Sequence, residues 1–382
     1  MTRRIALVAG PLLLLGLLVV SFAVWRPLDR LSTGAPPREA IAFERVALDE
    51  TGIHAYVRAD GSEPVVIAQV LVDDAYWTFA MTPAGPLPRL TSARIDIPYP
   101  WVEGEAHKIK LITRTGQTFE HEIKQAVATP KGSGGDLIGL GLVGLFVGPV
   151  PVLIGLAFYP ALRRIGAAAM TFLLGLTIGL LGFLLVDAVA EGLEAAGQAL
   201  DGLKARALFW AVAASATLVL FAVGRRGGRP PEAMALAGFI AFGIGLHNLG
   251  EGLAIGAALA TGEVALASFL VLGFAVHNVT EGIGIAAPLR DAHPTLLSFA
   301  WLAALAGGPA VLGAWGGAYA YAPHLAAVCF GIGAGAILQV MIELALYLQR
   351  RATEAVVTPV PGLSGAIAGL AVMYATSLLI AA

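Results

Sequence analysis

The sequence predicts a mainly α-helical, polytopic membrane protein with a small β domain near its N-terminus. Only 13% of its 382 residues are charged and 57% are hydrophobic, whereas soluble domains carry roughly a quarter charged residues. Several apolar runs reach the length of roughly 18 residues that is needed to cross a bilayer. After the first run, residues from about 40 to 128 instead alternate apolar and polar side chains, as short strands do.

The N-terminal apolar run covers residues 5–24 and follows Arg3 and Arg4. This pattern is typical of a signal peptide or of an uncleaved membrane anchor. Its roughly 20 residues exceed the usual 7–15 residues of a signal-peptide core, which favours an anchor. We therefore assign residues 1–30 to an N-terminal transmembrane anchor or signal peptide.

Residues 31–130 predict an extracytoplasmic β-sandwich. The stretches "PVVIAQVLVDD", "AYWTFAMTP", "ARIDIPYPW" and "HKIKLITRTGQTFEHEI" are strand-like runs bounded by turn residues, and "RTGQ" marks a hairpin. Such short strands are typical of immunoglobulin or fibronectin sandwiches. In "FEHEI", Glu120 and Glu122 lie on the strand face opposite His121, which argues against a three-ligand metal site there. No residue pattern identifies a partner of this domain, and "KGSGG" at 131–135 is its linker.

Residues 136–382 contain eight apolar segments, which we predict to be transmembrane helices. They cover about 137–160, 167–187, 207–223, 233–260, 264–289, 296–321, 325–348 and 361–381. Cytoplasmic loops carry an excess of Lys and Arg. Alternate connections contain Arg163, Arg164, Arg225, Arg226, Arg229, Arg290, Arg350 and Arg351. With the amino end of the first run inside, this bias predicts an extracytoplasmic β domain and C-terminus, in the cell (inner) membrane.

Charge and cysteine content exclude two further classes of function. The net charge is −2 and there is no basic tail, so we expect no nucleic-acid partner. Cys329 is the single cysteine, so the chain has neither an internal disulfide nor a CxxC motif.

Two apolar segments carry the same polar motif, "HNLGEGLAIG" at 247–256 and "HNVTEGIGIA" at 277–286. His247 and Glu251 are four residues apart and therefore share a helix face, with Asn248 in reach. The second segment repeats this geometry with His277, Asn278 and Glu281. A charged side chain near mid-bilayer costs at least about 2.5–3.5 kcal/mol, so it usually marks a functional site.

Imidazole nitrogen and carboxylate oxygen are ligands that suit Zn²⁺ and its neighbours, and amide oxygen can complete the shell. The alternative is a hydrogen-bonded lock between two helices. An isolated histidine would favour the lock, but the duplicated spacing favours a metal site. Pro288 predicts a kink in the second of the two helices.

The doubled motif resembles that of the ZIP family of divalent metal transporters, whose hallmark is H-N-x-x-E-G in the fourth transmembrane helix, with a related motif in the fifth. The resemblance covers 136–382 and implies an eight-helix bundle with both ends outside. It implies metal ligation by His247, Asn248, Glu251, His277, Asn278 and Glu281. The expected partners are membrane lipid and the transported ion, Zn²⁺ first, with Fe²⁺, Mn²⁺ and Cd²⁺ as alternatives. The ion is then a substrate, with no cofactor expected, and the family also suggests a homodimer.

Two departures from the family pattern bear on the number of metals. Members with two adjacent metals often have Asp at the position of Asn278 and a Glu-Pro pair on the sixth helix, where this chain has Gly308 and Pro309. Two carboxylates are therefore missing, and we predict one metal site rather than a binuclear centre.

Four further polar residues lie in the apolar segments. Asp187 and Glu191 match a polar pair of the family and are candidates for the entrance, unless they form a solvated helix end. Gln339 and Glu343 are candidates for the exit, unless they form a helix–helix lock.

The leading prediction is a transporter that moves a divalent metal into the cytoplasm, not an enzyme. One alternative is an intramembrane zinc metalloenzyme, although the chain lacks an HExxH motif. The other is a metal sensor that signals through the β domain.

Overall fold

The computed structural model describes residues 2–25, 38–130, 133–225, 231, 233–261, 263–354 and 358–381. The strands are β1 (Glu39–Asp49), β2 (Gly52–Gly61), β3 (Ile67–Val72), β4 (Ala75–Trp77), β5 (Ala80–Thr82), β6 (Ser92–Ile97), β7 (His107–Thr113) and β8 (Thr118–Ile123). The helices are α1 (Thr2–Trp25), α2 (Gly134–Val147), α3 (Pro149–Leu156), α4 (Tyr159–Leu162), α5 (Ala167–Gln198), α6 (Ala205–Gly224), α7 (Ala233–Ala260), α8 (Val264–Ala286), α9 (Leu296–Ala320), α10 (Pro323–Glu354) and α11 (Val360–Ala381).

The β domain consists of two antiparallel four-stranded sheets, in the orders β1-β2-β6-β5 and β4-β3-β7-β8. Both sheets contribute side chains to one hydrophobic core, for example Ile53 and Ile95 from the first sheet and Ile109 and Leu111 from the second. The predicted hairpin at "RTGQ" is confirmed, since β7 and β8 pair on either side of it. The "AYWTFAMTP" stretch forms two strands, β4 and β5, which belong to different sheets.

Seven helices in the described part of the chain are long and apolar enough to cross a membrane, as expected of a polytopic membrane protein. These spans join some of the elements above: Gly134–Leu162 (α2 to α4), Ala167–Gln198 (α5), Asp201–Gly224 (a 3₁₀ turn and α6), Ala233–Ala260 (α7), Leu266–Leu289 (α8 and a 3₁₀ turn), Leu296–Ala320 (α9) and Pro323–Arg350 (most of α10). The apolar parts described for α1 and α11, Leu13–Phe22 and Val360–Ala375, are shorter.

The first predicted segment lies within the apolar span Gly134–Leu162 but contains a break in the backbone, because α2 ends at Val147 and α3 begins at Pro149. One expectation about an individual helix was wrong. Pro288 does not kink α8, because the helix ends at Ala286 and continues only as a 3₁₀ turn. In both places proline lacks the N–H that an α-helix needs.

The helices form two groups. The first comprises α2, α3, α7, α8 and α9, and the second comprises α5, α6, α10 and α11; the groups meet mainly where α7 packs on α10. Glycines allow the closest contacts within each group. A Cβ at Gly252 of α7 would lie 2.1 Å from the carbonyl oxygen of Ala310 in α9. In the second group, a Cβ at Gly175 of α5 would lie 2.1 Å from the carbonyl oxygen of Gly362 in α11.

The β domain contacts connections at one end of the helices, which we call the β-domain end. Its contacts include Asp201 between α5 and α6, Glu263 before α8, and Tyr319 and His324 where α9 meets α10. This end of the bundle is therefore packed against the β domain.

Candidate metal centre

Three of the predicted site residues meet between α7 and α8. The Nε2 atom of His277 lies 2.6 Å from Oε1 of Glu251, and Nε2 of His247 lies 3.2 Å from the same oxygen. One potential ligand atom from each of these residues lies within 4.8 Å of the other two. Two imidazole nitrogens and a carboxylate oxygen at this spacing form a donor set that suits Zn²⁺.

The glycine after each motif glutamate fixes the position of its helix. Gly252 packs on the carbonyl of Ala310 in α9, and a Cβ at Gly282 would lie 2.3 Å from the carbonyl oxygen of Val152 in α3. Each Glu-Gly pair thus turns its glycine towards a neighbouring backbone. The glutamate, one residue earlier and about 100° away around the helix, is directed towards the space between α7 and α8.

The two asparagines orient their amides in the same way. Asn248 donates from Nδ2 to the carbonyl oxygen of Ala306 (3.1 Å), and Asn278 donates from Nδ2 to that of Val147 (2.9 Å) and to Oε2 of Glu251 (3.3 Å). A backbone carbonyl can only accept a hydrogen bond, so each NH₂ group must face it. The Oδ1 atoms of both asparagines remain buried without a hydrogen-bond partner among the described residues and are available to a cation.

Glu281 lies outside the three-residue group. Its side chain is buried, with 2% of its surface exposed, and neither carboxylate oxygen has a hydrogen-bond partner in the described part of the chain. An unpaired charge in such a place is very costly. The four orphaned acceptor atoms, from Asn248, Asn278 and Glu281, therefore fit a site that receives a positive charge.

The carbonyl of Val147 is a structural partner that the sequence analysis missed. In a continuous helix this oxygen would accept from residue 151, which is a proline without an N–H. The break at Gly148 leaves this carbonyl without a helical partner, and Asn278 donates a hydrogen bond to it. The signal that could have revealed it is the "GPVP" stretch at 148–151 inside an apolar run.

The candidate entrance residues lie near the cluster but do not join it. Asp187 and Glu191 are half-buried on α5, and both interact electrostatically with His247 and Glu251. The sequence had suggested that the two acids lie close to the end of the helix. Because α5 continues to Gln198, they lie inside it instead.

The candidate exit residues have different surroundings. Gln339 is completely buried and both of its amide atoms lack a hydrogen-bond partner among the described residues. Glu343 is also buried, but Arg225 of the α6 end holds it through two contacts of 3.1 and 3.2 Å. Gln339 thus has two unsatisfied amide atoms, whereas the charge of Glu343 is already paired with that of Arg225.

The acidic stretch of β8 holds its side chains apart. His121 stacks on Phe43 with ring centroids 5.0 Å apart, and burial lowers the pKa of its imidazole. Glu120 instead pairs with Lys108 and Lys110 on the other face. Among the residues that the structure describes, the grouping suited to a metal is that of His247, Glu251 and His277.

No protein-family model matches this chain, and no curated protein matches its sequence. The resemblance to ZIP transporters therefore rests on the two H-N-x-x-E-G motifs and on the helix pattern around them.

Proposed function

We propose that this protein is an integral membrane transporter that moves a divalent transition-metal ion, Zn²⁺ first, into the cytoplasm. The observation that carries the proposal is the convergence of His247, Glu251 and His277 within 4.8 Å, between two apolar helices. A polar cluster at this depth is costly unless it pairs with charge or serves a pathway.

The charges of the cluster favour a dication as its occupant. Two buried glutamates and two buried histidines surround the space between α7 and α8. A divalent cation offsets the cost of burying the carboxylates, and it loses its water in exchange for nitrogen and oxygen ligands. The same donors also accept Fe²⁺, Mn²⁺ and Cd²⁺, so these ions are alternative substrates.

The distribution of positive charge supports the direction of transport. Arginine-rich connections lie at the helix ends away from the β domain, such as Arg163 and Arg164 before α5. By the positive-inside rule this end is cytoplasmic, and the β domain and C-terminus are extracytoplasmic, in the cell membrane. Asp187 and Glu191 then attract ions from outside, and Gln339 lies at the middle of α10, six residues nearer the cytoplasmic end than Gly333, which packs on His247.

Release of the ion requires the two helix groups to move relative to each other. The cluster lies on α7 and α8 of the first group, and a Cβ at Gly333 in α10 would lie 3.2 Å from the Cα atom of His247. A shift of the first group along α10 would carry the bound ion between the two sides. Such a movement of a transport bundle past a scaffold is what the ZIP resemblance implies.

One observation favours a second candidate, an intramembrane metalloenzyme. Two histidines and one glutamate form the ligand set of several catalytic zinc sites, and the unpaired carboxylate of Glu281 is available as a general base. Against this candidate, His247, Glu251 and His277 are only 5%, 2% and 6% exposed. This conformation offers a substrate larger than an ion no access to the cluster.

The deciding experiment is metal influx into proteoliposomes that contain the purified protein, with empty vesicles as blank. Zn²⁺, Cd²⁺, Fe²⁺ and Mn²⁺ are tested on the wild type, on the double variant His247→Ala/His277→Ala, and on His293→Ala, which removes an exposed histidine outside the site. We expect saturable influx that is lost only in the double variant. Absence of influx from a wild type that binds metal stoichiometrically would refute transport and favour the enzyme or a sensor.

A further inference from the structure

The β domain contacts the bundle at the joint between the two helix groups. Helix α9 of the first group ends at Ala320 and α10 of the second group begins at Pro323, so only Tyr321 and Ala322 separate them. Any movement of one group past the other must be accommodated by this short connection at the β-domain end.

A bulge in β1 directs two consecutive side chains towards this joint. Ile41, Phe43, Val46 and Leu48 all pack in the core of the β domain, and the interval of three residues between Phe43 and Val46 interrupts the regular alternation. The pairing of β1 with β2 shifts register at the same place. A bulge inserts one extra residue, so Glu44 and Arg45 both point away from the core instead of to opposite faces.

These two side chains contact opposite sides of the joint. Arg45 donates from Nη1 to the carbonyl oxygen of Tyr319, in the last turn of α9, at 2.9 Å. Glu44 places Oε1 3.4 Å from Nδ1 of His324, in the first turn of α10. One strand segment therefore holds the end of one helix group and the beginning of the other.

The β domain fixes both side chains in place. Arg58 of β2 donates to Glu44 from Nε (2.6 Å) and from Nη2 (3.3 Å), and the guanidinium of Arg45 lies over the ring of Tyr56, 4.3 Å from its centroid. With these contacts in place, neither side chain can follow a moving helix without losing a partner in the β domain.

Burial distinguishes these contacts from the exposed Arg38–Asp201 ion pair, which also connects the β domain with the helices. The side chains of Glu44 and His324 are 11% and 18% exposed, whereas those of the Arg38–Asp201 pair are 69% and 87% exposed. Exposed ion pairs contribute little, since water and salt screen them. Among the side-chain ion-pair contacts described between the β domain and the helices, that of Glu44 with His324 is therefore the least exposed to solvent, although Asp60 of β2 also packs against Gly202 between α5 and α6.

We propose that the β1 bulge is a brace across the α9–α10 joint, and that it limits the relative movement of the two helix groups. The effect on transport rests on the proposed function, whereas the effect on conformation does not. Loosening the brace should widen the range of distances between the groups and raise the rate of metal influx.

The conformational test measures the distance between spin labels by pulsed electron paramagnetic resonance in nanodiscs. In a Cys329→Ser background, labels are attached through Gln198→Cys at the end of α5 and Thr261→Cys beyond the end of α7, two positions on different groups. The test variant is Glu44→Gln/Arg45→Ala, and the matched control is Glu122→Gln/Arg114→Ala, which changes exposed residues of the same domain. His324→Phe loosens the same joint from the helical side with the β domain unaltered.

We expect a broader or shifted distance distribution in the Glu44/Arg45 variant and in His324→Phe, with the control like the parent. Initial rates of Zn²⁺ influx should rise roughly two- to tenfold, the factor that one net hydrogen bond is worth. Unchanged distances in both test variants would overturn the brace. If the label distances changed but the rate of Zn²⁺ influx did not, the proposed effect of the brace on transport would be wrong. If the parent itself carries no metal, the transport proposal fails and the distances still decide on the brace.

Discussion

Glu251 stands between two histidines from different helices: its Oε1 atom lies 2.6 Å from Nε2 of His277 and 3.2 Å from Nε2 of His247. His247 shares α7 with the glutamate, whereas His277 is 26 residues away along the chain, on α8. This carboxylate therefore joins the two motifs into one site, and the predicted behaviour of the centre depends on it more than on Glu281.

Replacing Glu251 by glutamine should weaken metal binding more than the same change at Glu281. Glutamine keeps the size of the side chain but removes the charge that faces both histidines, so we expect at least a tenfold loss of Zn²⁺ affinity, about 1.4 kcal/mol. The measurement is isothermal titration calorimetry on detergent-purified protein.

Glu343→Gln is the matched control for this change, since it alters a buried carboxylate that pairs with Arg225 outside the cluster. It should leave affinity within twofold of the wild type, roughly the precision of such comparisons. A larger loss in Glu281→Gln than in Glu251→Gln would show that the primary ligands are not those of the three-residue group.

The centre should bind one metal ion per chain. Three donor residues converge, and the two positions at which the resemblance to ZIP transporters would place further carboxylates hold Asn278 and Gly308 instead. Two adjacent dications repel each other and need more negative charge than this site provides. Elemental analysis after equilibrium dialysis against Zn²⁺ should give a ratio near one, with none bound to His247→Ala/His277→Ala. A ratio of two in the wild type, reduced to zero in that variant, would contradict a single site.

The sequence was sufficient to predict the face that α7 presents. Residues four apart on a helix must lie on one side, and His247 and Glu251 do meet there. The approach of His277 also follows from the repeated motif, because small residues let the helices come close. The separation of Glu281 from this group was not predictable, since it depends on how α8 rotates against α3 through the Gly282 contact with Val152.

Two structural features are not apparent from the sequence pattern. Hydropathy averages over a window, so the apolar "GPVP" stretch concealed the break between α2 and α3. Strand alternation assumes a period of two, so the interval of three between Phe43 and Val46 obscured the longest strand, β1. In both cases the irregular backbone permits a contact on which a proposal above is based, at Val147 and at Arg45.

Gly252→Ala should destabilise the helical domain. The added methyl group would meet the carbonyl oxygen of Ala310 at 2.1 Å, a distance at which α7 and α9 must separate. Overpacking of this kind costs about 1–3 kcal/mol. The control is Gly238→Ala on the same helix, where a Cβ meets no atom within 4 Å. Thermal unfolding followed by circular dichroism should show a lower midpoint for Gly252→Ala only, and equal midpoints would mean that the α7–α9 contact is not as tight as described.

Asp73→Asn should weaken the turn between β3 and β4 in a pH-dependent way. Burial by itself would raise the pKa of Asp73, but hydrogen bonds from the backbone of Lys108, from His107 and from Tyr99 outweigh it, so the net pKa lies below the ordinary value of 3.8. A carboxyl group with a lower pKa in the folded state stabilises the fold above its unfolded-state pKa, and this contribution is lost as the pH falls through the folded-state value.

Asparagine suits this test because Asp73 has a positive φ of 51°, a conformation that asparagine adopts readily. The hydrogen bonds to the charged oxygens are worth about 1 kcal/mol together after allowance for solvent, since 40% of the side chain is exposed. Hydrogen–deuterium exchange of residues 67–77 should therefore be faster in the variant at pH 7, and the difference from the wild type should shrink below about pH 4. The neighbouring Asp74→Asn, which loses only a surface contact with Lys110, should exchange like the wild type at both pH values. A difference of the same size at all pH values, with no decrease below about pH 4, would show that the charge of Asp73 is not what stabilises the turn.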